Sequence, residues 1–233
     1  MQQEKVSVVL IPGFMLDGSL WDDVVAALPS TWHIVRASLT QGNNIAEIAQ
    51  YIAQQVPESF ILIGFSLGGY IARSIAEQFP ERVTGLVLIA SSLRSDTAQQ
   101  REHKLTAIRL NTKESFRGLS SISIIKTLHP RHANNITLIK TIQAMGKNLG
   151  YANFVKQSLL DRSHYDMHKI NCPTLIIAGA EDQLRSAEEA NELYQQCKHA
   201  RLVSIKNTGH MIPLEQPQVL AGIILRWVGT WVF

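Results

Sequence analysis

A serine, an aspartate and a histidine stand in this chain where acyl-transfer chemistry would need them. Ser66 lies in Gly64-Phe65-Ser66-Leu67-Gly68-Gly69. Before it, the apolar run Phe60-Ile61-Leu62-Ile63 reads as a buried strand; after it, Leu67 to Phe79 reads as an amphipathic helix. The G-x-S-x-G spacing permits a strand-to-helix turn too tight for a side chain at Gly64 or Gly68. Such a turn pushes the serine hydroxyl off the sheet edge toward solvent. A serine hydroxyl is a weak nucleophile alone, so it needs a base and an acid that orients the base. Asp182 follows the strand-like Pro173 to Gly179 and precedes Ser186 and Glu189, which are spaced as a capping box. His210 follows the short strand-like run Arg201 to Ile205, in Asn207-Thr208-Gly209-His210-Met211, ahead of a helix starting near Pro217. All three sit in loops at strand carboxyl ends, the edge of an open α/β sheet that binds ligands.

The elements that must position them alternate. Periodicity predicts strands over 6–11, 33–37, 60–64, 83–90, 173–179 and 201–205, and helices near 19–28, 45–56, 67–79, 186–197 and 216–230. Alternation of this kind predicts an α/β fold, a mostly parallel sheet of about six or more strands with helices on both faces. Asp17, Ser19 and Asp22 read as caps of the first helix, Ser19 and Asp22 having capping-box spacing. Residues 92–168 break the alternation. They read as four or five helices, with loop signals at Asn111, at His129-Pro130 and from Gly146 to Gly150. The division predicted is a core of 1–91 and 169–233 with a helical insertion, 92–168, in the same structural domain.

Composition narrows the class. With 233 residues, 45% of them hydrophobic, the chain suits one α/β domain. No apolar run approaches the ~20 residues of a membrane span. The start, Met1-Gln2-Gln3-Glu4-Lys5, leads straight into the first strand and shows no cleavage-site pattern, so a cytoplasmic location is expected. Cys172 and Cys197 have no metal or redox spacing and read as reduced and inert. His164 and His168 are four apart but lack the glutamate of H-E-x-x-H, so no metal site is expected. Gly64 to Gly69 lacks the G-K-[ST] of a phosphate loop, and no cofactor is expected. The net charge of +3 hides an asymmetry: residues 92–168 hold twelve Lys and Arg against five acids. A solvated helix surface explains such an excess, and so does steering of an anionic substrate or acidic carrier, with Arg101, Lys104 and Arg109 the first candidates. Nucleic acid is not indicated, because aromatics do not interleave with these charges.

Taken together, the chain resembles the α/β-hydrolase superfamily, its small cofactor-free esterase-like members above all. The motifs that carry the resemblance are Pro12-Gly13-Phe14, Gly64 to Gly69, Phe79-Pro80-Glu81-Arg82-Val83, Gly179-Ala180-Glu181-Asp182, and Gly209-His210 with Glu215 and Pro217. The resemblance implies an α/β-hydrolase fold whose insertion after the fourth strand caps the active site. It implies Ser66 as nucleophile, His210 as base, Asp182 as the orienting acid, and an oxyanion hole from the backbone N–H groups of Leu67 and Phe14. Two acids compete with Asp182: the adjacent Glu181, and Asp96, which lies after the fourth strand where some relatives supply the acid. Most relatives have His-Gly where this chain has Pro12-Gly13, which leaves the oxyanion loop the least determined part. The activity implied is hydrolysis of a carboxylic ester or thioester of modest size. Lyase or C–C bond hydrolase chemistry and a non-enzymatic ligand receptor occur on the same scaffold.

Overall fold

The computed structural model describes residues 6–163 and 167–230. The chain opens with β1 (Ser7–Ile11), a 3-10 turn over Gly18–Trp21, α1 (Asp22–Ala26), β2 (His33–Arg36) and α2 (Ile45–Gln54). Next come β3 (Phe60–Phe65), α3 (Leu67–Gln78) and β4 (Val83–Ile89). A helical excursion follows, with α4 (Ala98–Arg109), α5 (Ser121–Ile125) and α6 (Ile136–Ser158). The alternation resumes with β5 (Thr174–Gly179), α7 (Ala187–Gln196) and β6 (Ala200–Ile205), then α8 (Ile212–Glu215) and α9 (Pro217–Val228).

The strands form one sheet in the order β2-β1-β3-β4-β5-β6, every neighbouring pair parallel. A parallel sheet is covered on both faces, and its strands read as unbroken apolar runs for that reason. Alternate residues feed two cores. Val8, Leu10, Ile63, Val87 and Ile177 pack on one face with Val24 of α1 and Leu220 and Ile224 of α9. Val9, Leu62, Leu88 and Ile176 pack on the other with Ile48 of α2, Ile71 and Ile75 of α3 and Leu193 of α7. Each fully buried side chain of this kind contributes about 1.5–3 kcal/mol. Ile124, Leu128, Ile139, Ile142 and Met145 from the excursion join the first of these clusters, so its helices and the sheet share apolar packing.

Two local expectations change. Ser19 and Asp22 form no capping box: Asp17 caps the 3-10 turn by accepting from the Ser19 amide, and Asp22 pairs with Arg36 instead. The chain enters α1 through that 3-10 turn, which moves the cap upstream. The loop expected over Gly146 to Gly150 shrinks to one residue. Gly146 is buried inside α6 beside Gly118 and the Met15 carbonyl, and only Gly150, at φ 77 and ψ 173, leaves helical geometry. The helix expected over 216–230 is α9, opened by Pro217, and the short α8 precedes it. Among the described residues no helix is long and apolar enough to cross a membrane.

Candidate active site

Ser66 occupies the sharp turn between β3 and α3, at φ 51 and ψ −111, a backbone conformation costing about 1–3 kcal/mol in a non-glycine residue. Close packing enforces it. A Cβ on Gly64 would lie 2.5 Å from the Gly68 carbonyl oxygen, and one on Gly68 would lie 2.4 Å from that of Ile11. Neither backbone can yield, so both positions accept only glycine. Two further bonds hold the turn: the Ser66 amide donates to Ile89, and the Ser91 hydroxyl donates to the Ser66 carbonyl.

The loops after β5 and β6 bring the other two groups to this hydroxyl. His210 Nε2 lies 2.9 Å from Ser66 Oγ, and His210 Nδ1 lies 2.8 Å from Asp182 Oδ2. The second carboxylate oxygen, Oδ1, accepts from the Leu184 and Arg185 amides at 2.8 and 3.0 Å, which fixes the carboxylate plane. The Asp182 side chain is 1% exposed and that of His210 6%, so water does not compete for their bond. The competing acids are engaged elsewhere. Glu181 accepts from the Thr208 amide, while Asp96 pairs with Lys104 and with Arg162.

The His210 loop is clamped by a residue whose role only the fold reveals. Glu215 accepts from the amides of His129, Gly209 and Met211. The His210 amide itself donates to the Thr127 carbonyl, in the helical excursion, at 2.8 Å. Phe65 packs against the imidazole with ring centroids 5.2 Å apart.

The loop after β1 carries Phe14 at the start of a turn closed by the Leu16 amide on the Gly13 carbonyl. Met15 takes the left-handed position, φ 55, and its amide donates to Gln157 Oε1 at 2.8 Å. Among the described residues neither the Phe14 nor the Leu67 amide finds an acceptor in the protein. Leu67 is the first residue of α3, where helix geometry leaves N–H groups free and the dipole favours negative charge. The two amides are thus open donors, one on the loop after β1 and one at the start of α3.

A cavity of about 440 Å³ reaches Ser66 and His210. Phe14, Phe65, Ile124, Ile142, Phe154 and Met211 supply apolar wall. Lys104, Lys126, Arg162 and Arg185 also line it, and no carboxylate does among the described residues. Burial lowers the Lys104 pKa from its usual value, and the nearby Arg162 charge lowers it further. Of the three cations singled out by sequence, Lys104 alone faces the cavity; Arg109 is exposed and pairs with Glu102, and Arg101 bonds the Asp96 carbonyl.

Sequence reasoning missed Gln157, Ser158, Arg162 and Arg185. Phe154 and Ser158 are one helical turn apart, a face the sequence could have shown, whereas the Gln157–Met15 bond spans 142 residues and has no local signal. Cys172 and Cys197 are free, and burial pushes both thiols up to about 11. His164 lies outside the described residues. Among those described, no three His, Cys, Asp or Glu side chains cluster as metal ligands would.

Residues 6–217 match the profile of the alpha/beta hydrolase fold family, and the chain belongs to that family. Its similarity to curated relatives runs nearly end to end. Monoacylglycerol lipase ABHD6 from Homo sapiens is 23% identical over 97% of this chain and 76% of its own length. A pimeloyl-[acyl-carrier protein] methyl ester esterase from Neisseria meningitidis is 24% identical over 95% of this chain and 93% of its own. A solved hydrolase structure from Pseudomonas aeruginosa superposes with a TM-score of 0.85 at 21% identity, over 97% of this chain and 91% of that one, which bears on the fold alone.

Proposed function

We propose that the protein is a serine hydrolase that cleaves a carboxylic ester or thioester. The observation that carries the reading is the unbroken hydrogen-bond chain from Ser66 Oγ through His210 to Asp182, opening on a cavity. In this reading Ser66 Oγ attacks the substrate carbonyl carbon while His210 Nε2 takes its proton. Asp182 holds the imidazole in the tautomer with Nδ1–H and offsets the charge that His210 gains. The tetrahedral oxyanion accepts from the Phe14 and Leu67 amides, each such donor lowering the barrier by about 3 kcal/mol. Collapse expels the alcohol or thiol with the His210 proton and leaves an acyl group on Ser66. Water then attacks that acyl group through the same base and releases the acid.

The helical segment 92–168 acts as the cap that shapes the acyl pocket. The relatives' names support an ester substrate, and one of them supports a carrier-bound ester. Two free thiols fit a reducing, cytoplasmic setting. The test is turnover of graded acyl esters and thioesters beside labelling with a serine-directed phosphonate. Ser66→Ala is expected to remove both turnover and label. Label that persists undiminished in Ser66→Ala overturns the assignment.

A further inference from the structure

We propose that Ser158, Arg162, Arg185 and Lys104 form a carboxylate-binding subsite inside the cavity, so that the substrate is an ester whose own chain ends in a carboxylate. This deepens the preceding section and rests on its reading of Ser66.

The first observation is the sign of the lining. Lys104, Arg162 and Arg185 line the cavity, whereas Asp96 and Glu189, the described acids that pair with them, do not. Asp96 bridges Lys104 and Arg162, and Glu189 bonds Arg185 at 3.0 Å. The three cations are also mutual neighbours. The Arg162 and Arg185 guanidinium carbons lie 5.5 and 5.9 Å from the centre of the Tyr70 ring, and both charges act on Lys104. Like charges gathered this closely repel one another. An anion between them relieves that repulsion.

The second observation is independent of charge. Ser158 is 5% exposed and lines the same cavity, yet among the described residues its hydroxyl finds no hydrogen-bond partner. Buried hydroxyls are nearly always partnered, and an unpartnered one marks a place for a missing group. A carboxylate oxygen accepts from the Ser158 hydroxyl while its twin accepts from a guanidinium, the geometry that favours arginine for planar anions.

Burial decides what kind of anion reaches the subsite. Side-chain exposure is 8% for Arg162, 16% for Arg185 and 22% for Lys104. The surface of an acidic carrier cannot touch groups so enclosed, but the end of a slender chain can. The apolar wall accepts the methylenes between the carboxylate and the ester. Arg185 joins the two ends of the site, because its amide bonds the Asp182 carboxylate that orients His210.

The experiment compares monomethyl adipate and monomethyl suberate with their neutral isosteres, methyl adipamate and methyl suberamate, in which the carboxylate becomes a primary amide. Wild type is expected to favour at least one acid over its amide by about tenfold or more in kcat/KM, the size of a charge-assisted bond. Arg185→Gln is expected to cut that ratio about tenfold, and Ser158→Ala, which removes only a hydroxyl, several-fold. Far-UV circular dichroism and thermal melting report whether each variant folded. No preference for either acid, or equal losses on acid and amide in both variants, overturns the subsite. If no ester is hydrolysed, or turnover survives Ser66→Ala, the esterase reading fails instead. The subsite is then judged by thermal shift with adipate and suberate against their diamides. Stabilisation by a diacid in wild type that is lost in Arg185→Gln supports it, and no difference from the diamides overturns it.

Discussion

Ser66 holds a conformation that serine resists, and stability as well as activity should reveal it. Ser66→Gly relieves the strain at φ 51, so the variant is expected to be more stable than Ser66→Ala by about 1 kcal/mol in chemical denaturation. Glycine is normally the less stable of the two. A Ser66→Gly protein that unfolds earlier than Ser66→Ala would contradict a strained turn. Asp182 and Asp96 separate as cleanly. Asp182→Asn presents His210 with the wrong partner and is expected to lower kcat by several orders of magnitude. Asp96→Asn leaves the His210 bond intact and should reduce kcat far less, while loosening Lys104 and Arg162. Steady-state kinetics on one ester decide between them. That Ser66, Asp182 and His210 come together was legible because each follows a strand and carries a local glycine or capping signature. Gln157, Ser158, Arg162 and Arg185 were not, because their importance comes from contacts that close only when the helical segment folds over the sheet edge.

At the scale of elements, the loop after β1 depends on α6. Gln157 is fully buried, and its side-chain oxygen is the acceptor for the Met15 amide, one residue beyond Phe14. Gln157→Met keeps the volume but removes that acceptor. Its predicted effect falls on kcat, by about tenfold, with little change in KM, because the proposed oxyanion donor, the Phe14 amide, would act in the transition state. The rate of phosphonate labelling should fall in parallel. A change in KM alone, or in melting temperature alone, would assign Gln157 to substrate binding or to packing. The boundaries of β3, α3 and α7 followed from apolar period and caps to within about two residues. The Gly146 to Gly150 segment misled, since glycine was read as a break where only Gly150 breaks the helix. Cys172, between the excursion and β5, and Cys197, at the end of α7, allow a test of burial. Their thiols ordinarily titrate near 9 and are pushed up to about 11, so the unfolded chain loses these protons first as pH rises. Stability from this source is intact below pH 9 and lost as pH climbs toward 11. The double variant Cys172→Ala/Cys197→Ala should flatten that alkaline decline in a denaturation series.

Across the whole molecule the charge asymmetry has two parts that respond differently to salt. Exposed pairs such as Arg109–Glu102 and Arg94–Glu192 are screened and contribute little. The cations inside the cavity are shielded from salt by protein. The kcat/KM for an acidic ester should therefore fall with ionic strength through slower encounter, then level off above zero, while a neutral ester of equal length stays flat. Stopped-flow or steady-state rates from low to high salt measure this. Identical curves for both esters would return the basic residues to solvated helix surface.

The bond from the His210 amide to the Thr127 carbonyl has a consequence for inheritance and engineering. The histidine loop and the helical segment meet backbone to backbone, and a Cβ on Gly209 would lie 2.4 Å from the His129 amide nitrogen. The excursion is therefore no interchangeable part. A chimera that grafts a relative's segment between β4 and β5 inherits a working base only if the graft returns a carbonyl at the Thr127 position and leaves room for Gly209. In the proposed reading the helices that meet the substrate can vary, but this short seam must travel with the histidine.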